Sequence, residues 1–164
     1  MSMHTVEKTQ QAIIQAIFDG LDEQLALQFD APIRWLDRPD DGSRMRWREV
    51  VMHAEPLAEL WSQQQPMLNF PALLVHYQET QSTLIDECGD QDHAFFFFLD
   101  LVLTHPNPEV LNWYWLRYAE AIKATLRSTS FDFQVQITGQ RINETGPLES
   151  LQLRRGLLDL QITF

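Results

Sequence analysis

Cysteine is nearly missing from these 164 residues. The lone Cys88 cannot close an intrachain disulfide, which excludes the stapled frameworks of small secreted domains and leaves a hydrophobic core to hold the fold. The stretch from Met1 to Gln10 is polar and offers no apolar signal segment, so synthesis in the cytosol is expected. Long apolar runs are also missing. None approaches the roughly 20 residues that a bilayer demands, and the most apolar one is broken by Asp100 and closes at Thr104; no membrane partner is expected. Lysine is represented by Lys8 and Lys123 alone. Positive charge is therefore carried by arginine, whose planar guanidinium suits bidentate pairing with carboxylates at protein interfaces. That charge is itself scarce: 12 basic residues stand against 23 acidic ones, for a formal net charge of -11. Such a molecule repels phosphate backbones as a whole, so sequence-specific nucleic-acid binding is not expected and protein partners are.

The signatures of catalysis are absent as well. There is no Gly-rich phosphate loop and no GxSxG elbow. His4, His53, His76, His93 and His105 are scattered without the spacing of a metal site, and Asp86, Asp90 and Asp92 do not follow a calcium loop. Cys88 and His93 flank an acidic turn, which is the wrong electrostatic setting for a thiolate nucleophile. The expectation is a protein with no catalytic residues, no resident metal and no cofactor, and not an enzyme. A small hydrolase whose site comes together only in three dimensions is the outlying alternative.

What the chain does have is a run from Ala94 to Leu103 containing Phe95, Phe96, Phe97 and Phe98 in succession. Read as a strand, it places Phe95, Phe97, Leu99, Leu101 and Leu103 on one face, and Ala94, Phe96, Phe98, Asp100, Val102 and Thr104 on the other. Neither face is polar enough to be left wet. Exposing Phe96 and Phe98 would forgo roughly 1.5 to 3 kcal/mol each, so the second face is covered either by this chain or by a neighbouring copy.

Around that strand the order of elements can be read from periodicity. Thr5 is placed to cap an amphipathic helix carrying Val6, Ile13, Ile14, Ile17, Phe18 and Leu21, with Gly20 either its end signal or a tolerated interior residue. Ile33 to Arg38 and Arg44 to Val50 read as the arms of a projecting β-hairpin around Pro39-Asp40-Asp41-Gly42, and Pro56 opens a short helix. A strand follows from Ala72 to Tyr77 and turns polar from Gln78 to Ser82. Beyond the phenylalanine strand, His105-Pro106-Asn107-Pro108 punctuates the chain, and Glu109 to Arg127 forms a helix of about 28 Å with the stripe Leu111, Trp115, Tyr118, Ala119, Ile122 and Leu126. Two alternating strands close the sequence, Phe131 to Thr138 and Gly156 to Phe164. With 45% hydrophobic and 21% charged residues the composition is globular. The predicted fold is a single α+β domain over 1–164, with a mainly antiparallel sheet, helices on one face and a mostly polar second face.

Two further features bear on partners. Trp113 falls almost opposite the buried stripe of its helix, as a simple exposed residue or as part of an interface. In the hairpin, Arg34, Arg38, Arg44, Arg46 and Arg48 share one side. They form either a solvated arm damped by Asp37, Asp40, Asp41 and Glu49, or a surface that docks onto acidic groups of an adjacent subunit or faces passing DNA, and the net charge favours the subunit. With Phe96 and Phe98, these are the candidate interface residues.

The order of an N-terminal amphipathic helix, a variable arm, Pro71-Ala72-Leu73-Leu74-Val75, the apolar strand from Ala94 to Leu103, the helix from Glu109 to Arg127 and the closing strand from Gly156 to Phe164 resembles the tail terminator, or tail completion, proteins of long-tailed bacteriophages and prophages. The likeness spans nearly the whole chain and rests on pattern. The resemblance implies a structural subunit of a homohexameric ring on the end of a completed tail tube, which stops tube polymerisation and offers a surface for joining to the head. Its partners would be itself, the tail tube protein and head–tail joining proteins. Its place would be the host cytoplasm and then the virion tail. A dimeric interaction or small-molecule-binding module is the alternative reading of the same apolar surplus.

Overall fold

The computed structural model describes residues 3–29, 72–84, 91–148 and 151–164. The expected hairpin arm with Arg34, Arg38, Arg44, Arg46 and Arg48, and the short helix after Pro56, lie outside the described residues. Helix α1 spans Met3–Phe29 and helix α2 spans Pro108–Ser128. The strands are β1 (Ala72–Leu84), β2 (Gln91–His105), β3 (Gln134–Leu148) and β4 (Leu151–Thr163). They pair antiparallel throughout, in the order β1-β2-β4-β3, so the last strand of the sequence lies inside the sheet.

Helix α1 starts earlier and ends later than its pattern predicts. Thr5 sits within its first turn and is not its cap, and Gly20 is interior, because the apolar periodicity continues to a buried Leu25. The absent side chain has a use: a Cβ at position 20 would lie 3.0 Å from the methyl of Thr125, so glycine lets α1 and α2 approach closely.

Helix α2 follows its sequence pattern closely. The Asn107 carboxamide oxygen accepts from the backbone N–H of Glu109 (2.9 Å) and of Val110 (3.4 Å), Pro108 occupies the first turn, and Glu109 and Arg127 match the helix dipole at the two ends. All six residues of the predicted stripe are buried. Trp115 is seated over the sheet, where its indole N–H donates to the Leu101 carbonyl at 3.1 Å. It fits because residue 156 is glycine: a Cβ there would stand 2.7 Å from Trp115 Cε2 and 2.8 Å from the Arg141 carbonyl oxygen.

Both helices cover the same face of the sheet. Ile13, Ile17, Leu21 and Leu25 of α1 and the α2 stripe share one core with Phe95, Phe97, Leu99, Leu101 and Leu103, flanked by Leu73 and Val75 on β1 and by Leu158, Leu160 and Ile162 on β4. The alternation predicted for β2 is thus the one observed, over a longer strand.

Strands β3 and β4 depart from expectation in extent. Phe131 and Phe133 precede β3 and pack beside the core, and the β3–β4 ladder runs past the predicted limits at Thr138 and Gly156. Two register shifts, between Ile137 and Gly139 and between Ile142 and Glu144, absorb the extra residues. Pro147 is tolerated because β3 is an edge strand among the described strands, where a missing N–H costs no ladder bond.

Candidate functional site

The face of the sheet turned away from α1 and α2 carries the residues that composition left without an explanation. Cross-strand register sets them in rows. Phe96 lies between Glu79 and Gln161, Phe98 between His76 and Asp159, and Asp100 between Leu74 and Leu157; Val102 lies opposite Arg155, and Thr104 opposite Leu153. A mostly polar face was expected. That expectation holds for Gln134, Gln136, Thr138, Gln161 and Thr163, but it fails at the centre. Leu74, Asp100 and Val102 are wholly buried, and Leu153, Leu157 and His76 nearly so, within a single protomer and although neither described helix lies on this side. Strand β4 is longer than predicted and adds Leu153 and Arg155, which precede the predicted start at Gly156, to the same face as Leu157.

At the middle of this face is an ion pair. Arg155 Nε donates to both oxygens of Asp100 at 2.9 Å, and Nη2 reaches Oδ2 at 2.6 Å, a forked contact between β4 and β2. A carboxylate with no exposure is tolerated in a strand of phenylalanine and leucine because this guanidinium neutralises and hydrogen-bonds it. Next to the pair, the His76 ring stacks on Phe98 with centroids 4.7 Å apart and 20° between planes. Burial holds the His76 imidazole below its ordinary value of 6.5. The Asp100 carboxylate opposes that shift, and the Arg155 guanidinium adds to it. Farther along, Arg141 on β3 meets Asp159 on β4 at 3.3 Å.

Of the predicted interface residues, Phe96 and Phe98 do share this face and are half-buried. Trp113 is 61% exposed on α2, on the outer side of the helix layer, so it is not brought together with them. The five arginines of the arm lie outside the described residues. His76, Asp100 and Arg155 are the polar residues that sequence reasoning did not select. Asp100 carried a usable signal, since a carboxylate inside an apolar strand requires a buried partner. His76 and Arg155 carried none beyond their residue type.

The chemistry of this face is one forked ion pair set among apolar and aromatic side chains. The hydrogen bond of nucleophile–base type is elsewhere: Ser82 Oγ and His93 Nδ1 are 2.7 Å apart on the exposed arm of the β1–β2 pair. Among the described residues no carboxylate is hydrogen-bonded to His93, and an activated serine needs both such an orienting group and oxyanion donors. Cys88 lies outside the described residues. Among the described residues no cluster of three or more His, Cys, Asp or Glu is placed to hold a metal, and no described helix is long and apolar enough to cross a membrane. The chain matches no family model, and no curated protein matches it.

Proposed function

We propose that the protein is a structural assembly subunit that closes into a ring, of the tail terminator kind that its order of elements resembles. In that role it caps a completed tail tube, stops its polymerisation and presents a surface for head joining. The observation that carries this reading is the presence of two different apolar patches on opposite layers of one molecule. Phe96 and Phe98, half-buried, lie on the sheet face that neither described helix covers, and Trp113 is exposed on the helix layer. A head-to-tail ring needs two such unlike patches per subunit, whereas a two-fold dimer needs one that matches itself. One of the two edges among the described strands supports contact through faces. Strand β3 is interrupted by two register shifts and by Pro147, devices that discourage strand-to-strand addition. The net charge of -11 suits a ring through which DNA passes without adhering. On this reading the partners are further copies, the tube protein and head–tail joining proteins, in the host cytoplasm and then in the virion tail.

Light scattering tests it. The expected mass is several times 19.2 kDa, rising toward a hexamer with concentration or on added tail tubes. Phe96→Asp should return it to the protomer mass with an unchanged circular dichroism spectrum. A stable dimer would favour the interaction-module alternative. A protomer at every concentration, with tubes present, would overturn the ring.

A further inference from the structure

Among the described residues, His76 is the buried polar side chain of the second sheet face with a ring nitrogen left without a hydrogen bond. His76 is only 7% exposed, and its Nε2 makes no hydrogen bond. Stacked flat on Phe98, the ring is suited to the uncharged state, because a proton would create a cation with no acceptor at Nε2. The charged groups of the described strands on this side are few. On β1, Glu79 is exposed and accepts from the Gln81 amide at 2.8 Å. On β2, Asp100 is gripped by the fork of Arg155 from β4. Beyond them Asp159 of β4 faces Arg141 of β3. Asp100, diagonal to His76 across the β1–β2 pair, is the carboxylate that favours a proton on His76, and it is already engaged.

We infer that His76 is an acid-sensitive latch on this face. On taking up a proton, the imidazolium must either draw Asp100 away from Arg155 or swing off Phe98 toward water, and either move loosens the second face while the helix-covered face stays packed.

The direction follows from burial. The opened or unfolded chain binds a proton below about pH 6.5 and the closed face does not, so stability is complete above 6.5 and falls as the pH drops below it. The loss levels off once the folded His76 itself titrates. On the other face the Trp115 indole, bonded to the Leu101 carbonyl beneath α2, supplies an internal reference. The latch is a property of one protomer, so its test stands apart from the ring.

The experiment is NMR on the full chain from about pH 7.5 to 5, following the His76 and Phe98 rings and the Trp115 indole N–H. The expected result is that His76 and Phe98 signals change together below 6.5 while the indole proton stays protected. Paired urea titrations add a second readout: the unfolding constant of the wild type relative to His76→Phe should rise by up to about tenfold per pH unit in that window. Phe98 signals indifferent to acid would overturn the latch. So would simultaneous loss of all three signals, or a flat ratio of unfolding constants. Should His76→Phe fail to fold, the wild-type spectra decide alone.

Discussion

Asp100 has no exposure to water and sits in the stretch from Phe95 to Leu103, otherwise made of phenylalanine, leucine and valine. A bare carboxylate there would be untenable, and the forked contact with Arg155 is what admits it. The pair is asymmetric in its consequences. Removing one member leaves a charge in a site built for two, while replacing both by apolar residues of similar size removes the problem. Asp100→Asn should therefore cost about 3 kcal/mol in urea denaturation, and the double change Asp100→Leu/Arg155→Met should return to within about 1 kcal/mol of the parent or exceed it. A single-substitution cost near zero would show that the pair does not organise the face. The aspartate is conspicuous in the sequence, but its partner lies 55 residues away, and no local pattern connects them.

The elements differ in how far local rules decide them. Helix α2 is announced at both ends and along its length: Asn107 and Pro108 at the start, a 3.6-residue stripe through the middle, and Thr129 closing back on the Thr125 carbonyl. Its seat on the sheet depends on something quieter, the missing Cβ of Gly156 under the Trp115 ring. Gly156→Ala should destabilise by about 3 kcal/mol, read from the urea midpoint, because ring, strand and the Arg141 carbonyl leave no direction for relief. A change within about 0.5 kcal/mol, the range of an ordinary surface substitution, would mean that the helix can lift without loss. Strands β3 and β4 show the converse. The predicted strand closes at Thr138, yet the chain continues as ladder through Gly139, Gly146 and Pro147, because an edge among the described strands accepts bulges and a proline.

For the whole molecule, charge and apolar surface pull in opposite directions. Copies carrying -11 each repel, while Phe96, Phe98 and Trp113 gain by leaving water. Salt separates the two effects, since the screening length falls from about 30 Å at 0.01 M to about 8 Å at 0.15 M. If the apolar patches join the copies, the mass from light scattering should rise with sodium chloride. An assembly held chiefly by arginine–carboxylate contacts would instead weaken, and that outcome would move the interface from the sheet face to charged surfaces.

The fold class, the two amphipathic helices and the in–out alternation of β2 follow from the order of residues, since they rest on periodicities of 3.6 and 2 that each segment carries within itself. Three things were settled only when distant strands met. One is the length of the β3–β4 ladder, another the apolar centre of the second sheet face, and the third the grouping of His76, Asp100 and Arg155. These depend on register between segments, and register is a property of the pairing of strands, which no single stretch of chain contains.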